Sequence, residues 1–278
     1  MTLSIITINY NNAEGLRKTL ESVGAQTCQE LEHVIVDGGS TDDSRELIEQ
    51  YADTAKYSVK WVSEPDAGIY NAMNKGIRMA AGEYIEILNS GDWLFDNEVV
   101  EKMLTALEEN SFPEILYGNM IKLYPSGKQV DTCGGNIYPP NSFLYFYKGT
   151  LNHNCAYIRR SLFERFGQYD EQMKICSDWK WYVDAIAIGG VKPVYVNINV
   201  TYFDMNGVSE SGGKNANLII KERRQYLEQI LPATILHDYD NYSFPVLQYQ
   251  RLKKHHLWGL VYFIERVLFK LEKWHILK

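Results

Sequence analysis

The sequence predicts an α/β fold: a mainly parallel sheet covered on both faces by helices, with a C-terminal helical extension. Three observations predict it. Short β-branched or apolar runs alternate with helix-period segments over the first ~110 residues, as stacked strand–helix units require. The strand-like runs are followed by clusters of Asn, Asp, Gly or Ser, residues that turn the chain. Past that region the alternation breaks, and the end of the chain carries helix patterns without strands.

Leu3–Ile8 is a β-branched run, and Leu16, Leu20 and Val23 recur at helical spacing after the turn-like Asn9-Tyr10-Asn11-Asn12. Leu31–Asp37 reads as the second strand. Ser40-Thr41-Asp42-Asp43 then supplies N-cap candidates for a helix carrying Leu47, Ile48 and Tyr51. Val59–Ser63 is the third strand, Ile69–Ala81 the third helix closed by Gly82, Tyr84–Asn89 the fourth strand, and Glu98–Glu109 the next helix. Strands separated by such helices need right-handed crossovers and pair in parallel. Ile115–Tyr124 and Lys128–Cys133 then flank Pro125-Ser126-Gly127 as a hairpin would. After the aromatic stretch Ile137–Tyr147 come a strand at Asn154–Ile158, a helix at Trp179–Ile188 and a strand at Lys192–Asn199. Helical patterns return over Asn217–Leu231 and from Leu247 onward. The expected organisation is one α/β domain over 1–205, divided near 110, and a loop with a helical extension over 206–278.

A chain of 278 residues with 45% hydrophobic content can bury one large core and support an appendage. The net charge of −7 argues against nucleic-acid binding, which needs clustered Lys and Arg. Residues 248–278 depart from this balance, with seven Lys or Arg against Glu265 and Glu272. Cys28, Cys133, Cys155 and Cys176 form no C-x-x-C pair and no zinc spacing, so a reducing cytoplasm is expected. The N-terminus lacks a basic leader and reads as a buried strand. The longest apolar run, Leu257–Ile264, is far short of the ~20 residues a spanning helix requires.

In an open parallel sheet, ligands bind at the carboxyl ends of the strands. Those ends are Asn9-Tyr10-Asn11, Asp37-Gly38-Gly39-Ser40, Glu64-Pro65-Asp66-Ala67-Gly68 and Asn89-Ser90-Gly91-Asp92. Three of the four carry carboxylates, which would repel a nucleotide's phosphates unless a divalent cation such as Mg²⁺ or Mn²⁺ lay between them. Asp and Asn after strands also serve as plain turn formers and helix caps. Neither G-x-G-x-x-G after the first strand nor G-x-x-x-x-G-K-[ST] occurs, which demotes dehydrogenase and ATPase readings.

These segments resemble the family 2 glycosyltransferases with the GT-A fold. Ser4-Ile5-Ile6-Thr7-Ile8-Asn9-Tyr10-Asn11 is similar to that family's opening strand, and Ile35-Val36-Asp37-Gly38-Gly39-Ser40-Thr41-Asp42 to its V-D-D-G-S-T-D signature. Gly82-Glu83-Tyr84-Ile85 through Asn89-Ser90-Gly91-Asp92-Trp93 resembles the strand leading into its metal motif. The resemblance implies an inverting transferase that moves one sugar from a nucleotide-diphosphate sugar to a glycan or lipid-linked acceptor in surface polysaccharide synthesis. It implies that Asn9, Tyr10, Asp37, Asp66 and Asn89 bind the donor, with Asp66 near the base or ribose. Asp92 would hold Mg²⁺ or Mn²⁺. Two positions depart from the pattern: the second Asp of the signature is Gly38, and the usual D-x-D-D metal motif reads Asn89-Ser90-Gly91-Asp92. One carboxylate with phosphate oxygens and water still suits such an ion.

Ser177-Asp178-Trp179-Lys180-Trp181-Tyr182 resembles the family's E-D-x-x-L segment, which implies that Asp178 is the base, where an isolated helix-opening Asp would only cap. His153 is a candidate for contact with the diphosphate or acceptor, and an ordinary hydrogen-bonded histidine is the alternative. Gly207-Val208-Ser209 resembles a loop that closes over the donor, and Gly212-Gly213 would permit such movement. The processive Q-x-x-R-W motif does not occur, so single addition is expected. Most of the patch Tyr138, Phe143, Tyr145, Phe146 and Tyr147 is expected in the core. The competing readings are a nucleotide- or glycan-binding module without catalysis and, more distantly, a nucleotidyltransferase. In the tail, Leu257, Leu260, Val261, Ile264, Leu268 and Leu271 recur at helical spacing among basic residues, with Trp258, Tyr262 and Trp274 as interfacial types. Such a face suits the inner membrane surface, the catalytic domain, or a second copy of the chain.

Overall fold

The computed structural model describes residues 3–124, 126–131, 142–205 and 215–273. The loop at Gly207-Val208-Ser209 and Gly212-Gly213, and also Cys133, Tyr138 and Trp274, lie outside the described residues. The elements run β1 (Leu3–Asn9), α1 (Ala13–Gly24), β2 (Leu31–Asp37), α2 (Ser44–Thr54), β3 (Ser58–Ser63), α3 (Ile69–Met79), β4 (Tyr84–Ile87), β5 (Trp93–Leu94), α4 (Val99–Glu109), β6 (Ile115–Leu123) and β7 (Gln129–Asp131). Then come α5 (Phe143–Lys148), a 3₁₀ turn (His153–Cys155), β8 (Ala156–Arg159), α6 (Ser161–Phe166), α7 (Ser177–Tyr182) continuing into a π-helical turn (Val183–Ile188), and β9 (Val194–Asp204). Three helices follow: α8 (Ala216–Ile230), α9 (Ala233–Lys254) and α10 (Trp258–Lys273).

One sheet runs β3-β2-β1-β4-β8-β6-β9-β5, with β7 paired to β6. The four strands of the first half are parallel, which agrees with their alternation with α1–α3. All seven residues of β1 and of β2 are buried, as expected for strands covered on both faces. The second half joins through antiparallel β4–β8 and β8–β6 pairs, and the expected β6–β7 hairpin forms. β9 lies parallel to β6 and extends to Asp204, five residues past the predicted end. α3 stops at Met79 because Ala80 is extended. The Gly82 amide instead donates to Ser4 Oγ at 2.8 Å, tying the start of β4 to β1.

The core follows the apolar periodicity. Leu16 and Leu20 of α1 meet Ile35 of β2 and Ile48 of α2 on one face. Val99, Val100, Met103 and Leu107 of α4 join Leu3, Ile5 and Tyr84 on the other. Each fully buried side chain of this size contributes about 1.5–3 kcal/mol of transfer free energy. Of the aromatic patch expected in the core, Tyr145 and Phe146 are buried and Phe143 and Tyr147 half-buried.

The chain forms two compact units, Met1–Tyr226 and Leu227–Lys278. In the second, helix begins at Ala233, earlier than the predicted Leu247, and breaks at His255–Leu257, where His256 takes φ 57°. Among the described residues no helix is long and apolar enough to cross a membrane.

Candidate active site

The chain leaves β1 in one direction to β2 and β3 and returns to place β4 on the other side of β1. That reversal opens a crevice at the carboxyl ends of β1 and β4. A cleft of about 790 Å³ lies there, lined by Asn9, Tyr10, Asp66, Asn89, Asp92 and Asp204 among others.

Its floor is held by hydrogen bonds between strand ends. Asn11 takes φ 48°, an uncommon conformation for a residue with a side chain. Its amide donates to Ser40 Oγ at 2.8 Å and its Oδ1 accepts from the Thr41 amide at 2.8 Å. The Asp42 carboxylate ties the same two loops, accepting from the Ala13 amide at 2.9 Å and the Ser44 amide at 3.1 Å.

Asp37 is fully buried beneath the cleft. Its Oδ1 accepts from Asn9 Nδ2 at 2.8 Å and Ser40 Oγ at 2.5 Å, and its Oδ2 from the Ser40 amide at 2.9 Å and Ser63 Oγ at 2.7 Å. Burial alone would raise this carboxyl; the bonds from Ser40, Ser63 and Asn9 outweigh it and hold the group below the usual range. The donor contact expected of Asp37 would have to be made by oxygens that already accept these four bonds. With both oxygens taken, Asp37 clamps the ends of β1, β2 and β3 and aims Asn9.

Asp92 is 5% exposed and lines the cleft. Burial pushes its carboxyl up to about 7, against the Asn154 side chain, which donates at 3.1 Å, and with Asp204 adding repulsion. The sequence reading ends the last strand at Asn199 and so misses Asp204. Continuing that strand through Val200-Thr201-Tyr202-Phe203 makes Asp204 a strand-end acid like the others.

Asp178 opens α7. The preceding turn is held by the Glu222 carboxylate, which accepts from the amides of Lys174, Ile175 and Cys176 at 2.7–3.1 Å. Tyr70 Oη shares its one proton between the Ile175 carbonyl at 2.5 Å and Asp178 Oδ1 at 2.9 Å, and His153 Nδ1 lies 3.3 Å from Asp178 Oδ2. Burial would raise this carboxyl, but the His153 and Tyr70 contacts hold it low. His153 Nε2 meets Asn89 Nδ2 at 3.2 Å. With Nε2 accepting, Nδ1 carries the proton and donates to Asp178. His153 thus links cleft-lining Asn89 to Asp178, and the His153 and Asp178 side chains remain 19% and 16% exposed. Tyr70 is not among the residues the sequence singles out; only its tertiary contact with Asp178 marks it.

The cleft carries Glu14, Asp66, Asp92 and Asp204 against Lys18 among its described lining residues. Among the described residues no group of three or more His, Cys, Asp or Glu side chains is placed to hold a metal. A buried carboxylate pushed up to about 7 beside a second one nevertheless fits a Mg²⁺ or Mn²⁺ ion that takes its other ligands from phosphate oxygens and water.

A profile of the family described as "Glycosyl transferase family 2" matches residues 4–167. An uncharacterized glycosyltransferase of Mycobacterium tuberculosis is 33% identical over 211 residues, covering 74% of this chain and 76% of its own. Staphylococcus aureus TarS 1-349, solved with UDP-GlcNAc, superposes with TM-score 0.66 at 19% identity, covering 91% of this chain and 73% of that one. This chain covers 37% of a longer TarS chain. The mannosyltransferase PcManGT of Pyrobaculum calidifontis, solved with GDP-Man and Mn²⁺, superposes with TM-score 0.58 at 18% identity, covering 96% and 79%. These two solved structures share the fold.

Proposed function

This chain belongs to glycosyl transferase family 2, and we propose that it transfers one sugar, with inversion, from a nucleotide-diphosphate sugar to a glycan or lipid-linked acceptor with the help of Mg²⁺ or Mn²⁺. The observation that carries the reading is the acid-lined cleft at the β1–β4 reversal, with the Asn89–His153–Asp178 chain beside it.

In this reading Asn9, Tyr10, Asp66 and Asn89 bind the donor, Asp37 supports them from below, and Asp92, with Asp204 beside it, faces the diphosphate. A bound divalent cation would neutralise charge on that diphosphate and help it leave. Asp178 accepts the proton of the acceptor hydroxyl as its oxygen bonds to the anomeric carbon and the bond to the diphosphate oxygen breaks. One displacement inverts that carbon. His153 holds Asp178 in place through Nδ1, and its link to Asn89 joins the base to the donor side. The sugar nucleotides of TarS and PcManGT support the donor class, and the Mn²⁺ of PcManGT supports the metal. The test is release of UDP or GDP from UDP-GlcNAc and GDP-mannose, with Mn²⁺ and with chelator. Failure of both nucleotides to bind with Mn²⁺ would overturn the proposal.

The second unit supports a membrane-bound acceptor. Leu260, Ile264, Val267 and Leu268 of α10 are exposed along one side, and Arg266, Lys270 and Lys273 outnumber Glu265 and Glu272 on the same helix. A basic helix with exposed apolar residues binds anionic lipid by apolar burial plus roughly 1 kcal/mol per basic residue near the surface. Co-sedimentation with phosphatidylserine vesicles should fall with salt and be lost on truncation after Leu247. Equal, low sedimentation of both proteins, with self-association lost on truncation, would assign the face to a second copy instead.

A further inference from the structure

The segment that leads to Asp178 is held along its length by one stripe of α3. Tyr70, Asn74 and Arg78 recur every four residues with Asn71 beside them, and so share a face of the helix. Read from Arg78 back to Tyr70, their partners follow the chain forward. Arg78 donates to Gln168 Oε1 at 2.8 Å. Asn74 takes both backbone groups of Tyr169, accepting from its amide at 3.0 Å and donating to its carbonyl at 2.9 Å. Asn71 and Asn74 donate to the two oxygens of Glu171 at 2.8 and 2.9 Å. Tyr70 ends the series on Ile175 and Asp178.

Ile69 and Ala72, which line the cleft, fall on the side of α3 opposite this stripe. The helix is seated on β1 at Gly76, where a Cβ would stand 2.3 Å from Ile6 Cγ2. One helix therefore borders the cleft with one side and holds the segment that carries Asp178 with the other.

Tyr70 is buried, and its ring packs 5.7 Å from that of Tyr169. Its hydroxyl joins the Asp178 carboxylate to the Ile175 carbonyl, and the Ile175 amide is itself held by Glu222 at 3.1 Å. Asp178 is thus bonded at Oδ1 from α3 and approached at Oδ2 by His153 from the 3₁₀ turn, two elements that together fix the plane of the carboxylate. Burial and then the Asp178 charge push the Tyr70 hydroxyl far above its ordinary range, so it remains a donor. Tyr169, Cys176 and Tyr182 also face Asp178.

We propose that Tyr70 is a positioning residue for the transfer: the last rung of an α3 stripe that keeps residues 168–178 in register with the cleft, its hydroxyl bracing the Asp178 carboxylate in the orientation that meets the acceptor. The proposal rests on the reading of Asp178 as the base and adds what aims that base.

Full-length protein labelled with ¹³C at its Asp carboxyls tests it, the Asp178 signal being identified by its loss in Asp178→Asn. Tyr70→Phe keeps the ring against Tyr169 and removes only the hydroxyl. Asp178 should then take up its proton at a higher pH than in wild type, because a donor to its charged form is gone. Release of UDP from UDP-GlcNAc or of GDP from GDP-mannose with Mn²⁺, whichever wild type turns over, should fall about tenfold at neutral pH, with nucleotide affinity within about twofold. Glu171→Ala cuts the middle of the stripe at an exposed residue and should leave the Asp178 titration where it is. An unshifted titration or unchanged release in Tyr70→Phe, an equal shift in Glu171→Ala, or a loss of nucleotide affinity as large as the loss of turnover would each overturn the role of Tyr70 and leave Asp178 as the base. Near-normal release by Asp178→Asn would instead remove the base reading, and the role proposed for Tyr70 with it.

Discussion

Strands β2 and β4 flank β1 on opposite sides, and the buried carboxyl groups on them and in the turns they lead into are treated in opposite ways. On β2 each such group is partnered. The Glu32 carboxylate meets Lys60 Nζ at 2.8 Å, Ser4 Oγ at 2.6 Å and the Ala81 amide at 2.5 Å. His33 bonds Thr7 Oγ1 at 2.9 Å and Tyr51 Oη at 2.8 Å, and Asp37 accepts four bonds. On β4, burial pushes Glu86 up to about 8 with Tyr157 beside it, and in the following turn pushes Asp92 up to about 7. Saturated groups hold strands in register, whereas an under-partnered carboxylate facing a cleft keeps binding capacity in reserve. The β2 side is frame, and the turn after β4 is where chemistry is expected.

Asp178 is the sharpest challenge to that division, because it is held low like Asp37 yet assigned to chemistry. Asp178→Asn should cut transfer by about 10²–10⁴-fold with nucleotide affinity within about twofold. A near-normal turnover would make Asp178 a frame residue too. Next in size, Asp37→Ala should cost about 3 kcal/mol in denaturant unfolding, because it strands the donors of Asn9, Ser40 and Ser63 in the interior. Unchanged stability would break the comparison from the β2 side.

Asp92→Asn should go the other way. Removing an under-partnered buried charge should raise metal-free stability by roughly 1 kcal/mol, or about 2–4 °C in melting temperature, while Mn²⁺ no longer strengthens nucleotide binding. Loss of stability in that variant would place Asp92 in the frame.

The smallest effect concerns pH. Burial lowers His33 to about 3, below its unfolded value of 6.5. Between those values the unfolded chain binds a proton that the folded chain does not, so stability present above 6.5 is lost as pH falls. The expected loss is about 1 kcal/mol between pH 6.5 and 5.5, and His33→Gln should flatten it. An equal slope in the variant would show that His33 is not the group responsible.

The parallel half was legible because its signals are local. Alternation, the apolar runs of β1 and β2 and the turn residues after each strand depend on neighbours within a few positions. For the same reason the sequence by itself placed the strand-end turns, and so singled out Asn9, Tyr10, Asp37, Asp66, Asn89 and Asp92, of which all but Asp37 line the cleft. It could not distinguish a saturated acid from an open one. Asp37 and Asp92 look alike as strand-end carboxylates; the difference lies in Ser63, Asn154 and Asp204, which come from other strands and turns. Only the tertiary structure decided that the Asp66 carboxylate lies against Gly38, that His153 bridges Asn89 and Asp178, and that Tyr70 reaches across to the same carboxylate. Hydrogen-bond satisfaction and burial are properties of a three-dimensional neighbourhood, and residues distant in the chain set them with no periodic trace in the sequence.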